Sequence, residues 1–207
     1  MRAVNLLLCV LLLSILSCRK SNTSGPSSTF PNTIGDHWRY NYTPTPTFPP
    51  ATGYIDVDIV GEGVLPDGEL AKIWAYKILS YTDTTYVVAD EQVVKIFDKP
   101  CPGCTLYMPY ERMRYQLPLQ TGNFWYTNAR FGDTTRVLAE YAVTVPAGSF
   151  ENTFELLKKQ NYVTNSWENN QVWFSPTIGL VKLNQVEWSI GPLLGNGLWE
   201  LESYSLK

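Results

Sequence analysis

A period-two alternation of apolar and polar residues most constrains this chain, because it recurs in short segments throughout residues 30–207. In "YIDVDIVGEG", Ile55, Val57 and Ile59 fall on one face of a strand and the two aspartates on the other. Turn residues interrupt such runs at intervals of about 8 to 12 residues. The pattern predicts an all-β antiparallel fold of about a dozen strands, either a barrel or a strongly curved sheet or sandwich.

Two stretches of the chain match each other at constant spacing, which predicts an internal duplication. "FPNTIGDHWRYNY" (30–42) aligns with "LPLQTGNFWYTNA" (117–129), so that Gly35 matches Gly122 and Trp38 matches Trp125. We expect both tryptophans to be buried and both glycines to share a backbone conformation with φ > 0. The predicted repeats span 30–97 and 117–184, and they favour a strand over a short helix for "GSFENTFELLKKQ".

Composition favours one folded domain over residues 30–207, because two halves of this size usually share a core. Hydrophobic residues make up 44% of the chain and aromatic residues 14%, which excludes disorder outside the ends. The net charge is −3 and the chain has no basic run. Without a positive patch, nucleic acid is not an expected partner.

The first residues have the features of a signal peptide. Arg2 precedes an apolar run over residues 6–16, which is too short for a permanent membrane-spanning helix. The run ends in Ile15-Leu16-Ser17-Cys18, which resembles the lipobox of bacterial lipoproteins. This resemblance implies that residues 1–17 are removed and that Cys18 carries palmitate or similar acyl chains, which attach the protein to a membrane. The alternative is an ordinary secretory signal followed by a chance cysteine.

The residues after Cys18 suit a flexible tether. Residues 18–29 are rich in serine and threonine and contain glycine and proline. Arg19 stands where the familiar inner-membrane retention signal of bacterial lipoproteins has aspartate. By resemblance, the lipoprotein is therefore expected at the outer membrane of the bacterial envelope.

The motif Cys101-Pro102-Gly103-Cys104 could be a redox centre, half of a metal site or a disulfide. A redox motif of this kind lies at the start of a helix, and the prolines that follow make a helix unfavourable here. A zinc ribbon needs a second cysteine pair, and Cys18 is already assigned to the lipid. Proline and glycine at the central positions suit a type II turn, which brings the outer Cα atoms within about 7 Å, in the range of a disulfide. We therefore predict a structural disulfide.

Catalytic and metal sites have little support in the sequence. The chain has one histidine, His37, and no nucleophile motif accompanies it. The carboxylate pairs Asp56/Asp58 and Glu200/Glu202 alternate with apolar residues, as solvated strand faces do. We expect no enzyme, metal or cofactor, although a hydrolase with paired carboxylates remains a third hypothesis.

A candidate binding rim lies in the proline-rich segment "NYTPTPTFPPATGY" (41–54). Its prolines oppose sheet pairing, so Tyr42, Phe48 and Tyr54 are candidates for exposed aromatic contacts with a ligand. Most of the 7 Trp, 13 Tyr and 8 Phe are instead expected in the core.

Three phrases, "FPNTIGDHWRYNY", "VPAGSFENTFEL" and "VWFSPTIGLVKL", resemble an uncharacterised group of bacterial envelope lipoproteins. The resemblance concerns turn and core residues and implies a fold without a catalytic assignment. We expect a non-enzymatic lipoprotein whose β domain binds a ligand or an envelope partner. The alternative is a carbohydrate-binding accessory lipoprotein that binds a glycan through exposed aromatic rings.

The predicted disulfide can be tested by thiol labelling. Cys101 and Cys104 should resist labelling in the native protein and react after reduction. Replacing both with serine should lower the free energy of unfolding by less than about 3 kcal/mol, because the closed loop is short. Rapid labelling of the non-reduced protein would contradict the disulfide and favour redox or metal chemistry.

Overall fold

A computed structural model describes residues 30–44, 53–78, 81–99, 111–128, 132–161, 167–188 and 196–207. The predicted signal peptide (1–17), the tether (18–29) and Cys18 lie outside the described residues, as do Phe48, Cys101 and Cys104.

The described residues form strands and turns and contain no helix. Thirteen strands follow in chain order: β1 (His37–Pro44), β2 (Gly53–Val64), β3 (Leu70–Ile78), β4 (Tyr81–Ala89), β5 (Val93–Asp98), β6 (Glu111–Gln116), β7 (Phe124–Asn128), β8 (Asp133–Val145), β9 (Gly148–Asn161), β10 (Trp167–Ser175), β11 (Gly179–Gln185), β12 (Glu187–Trp188) and β13 (Gly197–Ser205). The segment "GSFENTFELLKKQ" lies in β9, so its prediction as a strand is confirmed.

The strands form one antiparallel sheet that nearly closes into a barrel. Its order is β6-β5-β4-β3-β2-β1-β13-β11-β10-β9-β8-β7, and β12 pairs with β10 beside this path. The first and last strands, β1 and β13, are paired. At the two ends of the path, the Trp125 indole on β7 donates to the Arg114 carbonyl on β6 at 2.9 Å. The predicted all-β fold of about a dozen antiparallel strands is confirmed, in its barrel form.

The connections between strands differ at the two ends of the barrel. Short turns at 65–69, 90–92, 117–123, 146–147 and 176–178 lie at one end, here called the turn end. The strand ends that point away from these turns define the opposite end, here called the distal end. Residues 30–36 precede β1 at the turn end, and the Lys207 amide donates to Asp36 there at 2.7 Å. The described chain therefore starts and finishes at the turn end.

A stack of aromatic rings fills the interior toward the turn end. Tyr115 lies on Phe174 with ring centroids 4.0 Å apart, and Phe174 contacts Phe30 at 5.7 Å. Phe30 in turn stacks on Trp74 at 5.8 Å, and Trp74 on Trp38 at 4.9 Å. All five side chains are buried. Since Phe30 precedes the first strand, the incoming chain itself fills this part of the barrel.

The tip of the long β8–β9 hairpin also covers the core. The Ala147 amide donates to the Leu201 carbonyl of β13 at 3.0 Å, which joins strands that are not neighbours in the sheet. Val143 and Val145 on this hairpin are buried in the core. The Ala147–Leu201 bond therefore connects the tip of the β8–β9 hairpin to the last strand.

The matched glycines and tryptophans have equivalent surroundings. Gly35 and Gly122 have φ of 93° and 92°, values at which a side chain is strained. The Gly35 amide donates to the Ile59 carbonyl at 2.9 Å, and the Gly122 amide donates to the Val137 carbonyl at 3.0 Å. The predictions of positive φ and of buried tryptophans are confirmed, with Trp38 1% and Trp125 4% exposed. The duplication over 30–97 and 117–184 stays a prediction.

Truncation of either matched tryptophan should destabilise the barrel. We expect Trp38→Ala and Trp125→Ala each to lower the free energy of unfolding by about 3 to 5 kcal/mol, because each removes a large buried ring. Each also removes an indole that donates to a backbone carbonyl, of Ile178 and Arg114 respectively. Denaturant unfolding measures the loss.

Tyr81→Ala is a suitable control, because this ring is 63% exposed and its removal should cost about 0.5 kcal/mol or less. Wild-type stability of both tryptophan variants would show that these residues do not form the core.

Candidate functional site

The inward face of the barrel changes from apolar to polar toward the distal end. On β9 the inward positions run from Phe154 and Leu156 to Lys158 and Gln160, and all four side chains are buried. Their alternation with more exposed residues shows that they share one face of the strand. Since buried lysine is rare unless paired, this half of the interior is a candidate functional site.

Lys158 is paired with Glu168 on the neighbouring strand β10. The Lys158 Nζ lies 3.7 Å from Oε2 of Glu168, with side chains 6% and 11% exposed. Asn170 donates to the same carboxylate oxygen at 3.0 Å, and its own Oδ1 accepts from the Val186 amide at 3.1 Å. The backbone thus orients Asn170, and Asn170 orients the carboxylate that faces Lys158.

A second interior ion pair joins β5 to β6. Arg112 Nε lies 2.7 Å from Oδ1 of Asp98, and each side chain is roughly half exposed. Burial raises the pKa of Asp98, and the Arg112 charge opposes this rise. The pKa of Asp98 also responds to Lys158 and Glu168, so the two pairs lie within electrostatic range of each other. We call Asp98, Arg112, Lys158 and Glu168 the interior charged cluster.

The environment of Lys158 disfavours its positive charge. Burial lowers the pKa of Lys158, and the nearby carboxylates of Glu168, Asp133 and Asp98 offset this only in part. Desolvation therefore exceeds the attraction that the ion pair supplies. A buried charge that costs stability is a common feature of functional sites.

The buried polar atoms of the barrel wall without a hydrogen-bond partner among the described residues include Thr127 Oγ1, Thr135 Oγ1 and Trp199 Nε1. Thr135 is 2% exposed and lies directly opposite Lys158 on the neighbouring strand. The Trp199 ring contacts Tyr40 at 6.0 Å and the edge of Tyr42 at 6.3 Å. Unpaired buried polar atoms are rare in native proteins and require an explanation.

The predicted binding rim is divided between the two faces of the barrel wall. Tyr42 packs against the core and its hydroxyl donates to the Asn196 carbonyl at 3.1 Å. Tyr54 is 51% exposed on the outside, with the Arg39 guanidinium 5.2 Å from its ring centre. Both lie near the distal end, but their rings do not face one another, and Phe48 is outside the described residues. A binding role for these residues stays a prediction.

His37 and the two strand aspartates lie on the outer face of β1 and β2. His37 Nδ1 is 2.8 Å from Oδ1 of Asp58, while Arg39 donates to both oxygens of Asp56 at 2.7 and 3.1 Å. The bonded Arg39 lowers the pKa of Asp56. Both carboxylates therefore already contact basic side chains, and a paired-carboxylate site for sugar hydrolysis has no support at this place.

The second carboxylate pair belongs to the same outer wall. Glu200 Oε1 accepts from Lys182 Nζ at 2.8 Å. No cluster of three histidine, cysteine, aspartate or glutamate side chains suited to a metal ion occurs among the described residues.

Sequence reasoning did not identify the interior charged cluster. A signal was present on β9, because Lys158 is in phase with the apolar residues Phe154 and Leu156. Asp98 and Arg112 lie on two other strands far from Lys158 in the sequence, so only the folded barrel brings them near it.

The chain matches no protein-family model and no curated protein. Among solved structures, it is similar to the crystal structure titled "a putative lipoprotein from Parabacteroides distasonis ATCC 8503". The two share 14% sequence identity with a TM-score of 0.45, over 87% of this chain and 99% of that one. A likeness of this size assigns neither family nor function. The described residues include no helix that is long and apolar enough to cross a membrane.

The Lys158–Glu168 pair can be tested by single and double substitution. Lys158→Met alone should lower the free energy of unfolding by about 3 kcal/mol, because it leaves a buried carboxylate without its cation. The double variant Lys158→Met/Glu168→Gln should be within about 1 kcal/mol of wild type or more stable. Lys159→Met, at the adjacent exposed position, is the matched control and should change stability by about 0.5 kcal/mol or less.

The pH dependence gives an independent check on Lys158. The pKa of Lys158 is lower in the folded state than in the unfolded state. At a pH above the folded pKa, the unfolded chain therefore binds more protons at this lysine than the folded chain does. The Lys158 contribution to stability should therefore increase with alkaline pH in the wild type, and the double variant should lack it. If the free energy of unfolding, measured with denaturant, depends on pH equally in both proteins, the lowered pKa of Lys158 is contradicted.

Proposed function

We propose that this protein is a non-enzymatic, lipid-anchored lipoprotein of the bacterial envelope whose barrel binds a small polar ligand in its distal half. One observation carries the proposal: the interior is apolar and filled by aromatic rings at the turn end, and charged toward the distal end. An interior built only for stability would have no need of the Lys158–Glu168 pair, whose side chains are 6% and 11% exposed, because apolar residues of similar size are as stable or more so. A binding role explains why they are there.

The position of residue 30 supports an orientation relative to the membrane. Acyl chains on Cys18 would connect to the barrel through residues 18–29, whose extended length is on the order of 40 Å. Because residues 30–36 lie at the turn end, the anchor would hold this end toward the membrane. The distal half, with its charged cluster, would then face away from the bilayer and be accessible to a ligand. Residue 19 is arginine, where the inner-membrane retention signal has aspartate, and this favours a location at the outer membrane.

The arrangement of charges supports binding over catalysis. Asp98 faces Arg112, and Lys158 faces Glu168, so each acid has a basic partner. General acid–base catalysis by two carboxylates needs one to remain protonated while the other is ionised, each in reach of the substrate. His37 lies outside the barrel and does not belong to this cluster.

The carbohydrate-binding alternative through exposed aromatic rings has less support. Phe124 and Tyr126 form an exposed pair on the outer wall, but their planes meet at 83°. Such a T-shaped pair presents one edge and one face and offers no flat platform for sugar rings. Tyr54 is covered in part by Arg39. Contact with a small ligand is therefore better placed inside the barrel than on its outer surface.

Anchoring through Cys18 can be tested by metabolic labelling and fractionation. The wild type should incorporate labelled palmitate, sediment with outer membranes and enter the detergent phase of Triton X-114. Cys18→Ala should remain an unprocessed precursor without palmitate, because the acylated sulfur is absent. Cys9→Ala, within the apolar run, is the matched control and should behave as wild type. Palmitate incorporation and detergent partitioning that survive Cys18→Ala would refute the lipoprotein assignment.

A further inference from the structure

We propose that the polar half of the interior binds a small neutral saccharide, a ligand rich in hydroxyl groups with apolar C–H faces. This inference rests on the proposed binding function and names the ligand class for the same site. Three features of the wall toward the distal end support it: polar atoms without partners, charges that already have partners, and aromatic rings.

The unpaired atoms call for a ligand that both donates and accepts hydrogen bonds. The indole Nε1 of Trp199 is a donor only, and it needs an acceptor. The hydroxyl of Thr135 can donate or accept, and it is 2% exposed beside Lys158. Sugar hydroxyl groups fill both roles at once, as few other neutral groups do. These atoms would gain partners on binding and so recover the cost of their burial.

The interior charges favour a neutral ligand over an ion. Arg112 is 2.7 Å from Asp98, and Lys158 is 3.7 Å from Glu168. A charged ligand would have to separate one of these pairs or add an uncompensated charge to a partly buried site, which costs free energy. Ionised side chains form stronger hydrogen bonds to neutral hydroxyl groups than neutral side chains do. They are therefore suited to a polar, uncharged ligand.

Aromatic rings complete the wall on β1 and β13. Trp199 and Tyr42 lie opposite each other in the β1–β13 pairing and meet edge to face at 85°. Aromatic rings supply apolar contact, and a few fixed polar groups set the orientation of a ligand. The C–H face of a sugar can contact such a ring while its hydroxyl groups reach the polar atoms.

Saccharide binding can be measured with the full-length protein in lauryldimethylamine oxide, a detergent without a sugar headgroup. The neutral probes are D-glucose, D-galactose, D-mannose, N-acetyl-D-glucosamine, maltose and lactose. The charged probes are spermidine, citrate and L-glutamate. Saturation-transfer NMR detects binding, and calorimetry gives the Kd. We expect at least one neutral probe to bind and the charged probes to fail.

Two conservative variants test the site itself. Thr135→Val removes one unpaired atom and keeps the shape of the side chain, whereas Trp199→Phe removes the indole N–H and keeps an aromatic ring of smaller size. We expect each to weaken saccharide binding by about fivefold, the value of one hydrogen bond. Thr135→Val should keep a denaturation midpoint equal to or above that of wild type, because it replaces an unpaired hydroxyl with a methyl group. Thr134→Val and Trp173→Phe, at outward positions of β8 and β10, are the matched controls and should keep wild-type affinity.

Each other outcome overturns the saccharide inference in a recognisable way. If a charged probe binds in place of the sugars and Thr135→Val weakens it, the ligand class is wrong and the binding function stands. If sugars bind equally well to Thr135→Val and Trp199→Phe, they bind elsewhere. If none of the probes binds, the inference fails, and the palmitate experiment on Cys18 still decides the lipoprotein assignment.

Discussion

The pairing of β1 with β13 is the interaction on which the rest of the structure depends. It joins two meanders, β1–β6 and β7–β13, in which neighbouring strands are close in sequence, and so it makes the single sheet that nearly closes into a barrel. Ordering so long a chain segment has a large entropic cost. Side chains of β1 offset part of this cost, since Trp38 donates to the Ile178 carbonyl at 2.7 Å and Tyr40 to the Leu180 carbonyl at 3.0 Å. These bonds connect β1 to the β10–β11 region across the interior.

The two halves of the interior serve different needs. Toward the turn end, stacked rings from Phe30 to Tyr115 supply apolar burial, which is the main source of stability in a domain of this size. Toward the distal end, Lys158 and Asp98 both have pKa values shifted by burial in the direction that disfavours their charges. Such groups reduce stability, and proteins keep them where binding or chemistry needs them. The stable half and the proposed binding half are therefore separated along the barrel axis.

This separation also agrees with the way the chain enters the barrel. Phe30 belongs to the aromatic stack, so the described chain begins in the stable half. In the proposed lipoprotein, tension on the tether would act on the best-packed part of the molecule. The charged cluster lies at the other end and would be free of the membrane surface.

The sequence by itself determined the local structure. The period-two pattern predicted antiparallel strands, and the internal repeat predicted a strand for the segment that forms β9. The matched Gly35/Gly122 and Trp38/Trp125 pairs predicted positive φ and burial. These features depend on neighbouring residues and on one face of a strand, so they can be inferred without knowing which strands meet.

Only the tertiary structure decided which polar residues come together. Asp98, Arg112, Lys158 and Glu168 lie on four strands, and they form one cluster because the sheet closes and brings their inward faces to the same space. Tyr42 and Tyr54, predicted as one rim, lie instead on opposite faces of the wall, because the pairing register of β1 and β2 sets Tyr54 beside Asn41 and Tyr42 beside Gly53. Register and closure depend on contacts between residues far apart in the chain, and a local pattern carries no information about them.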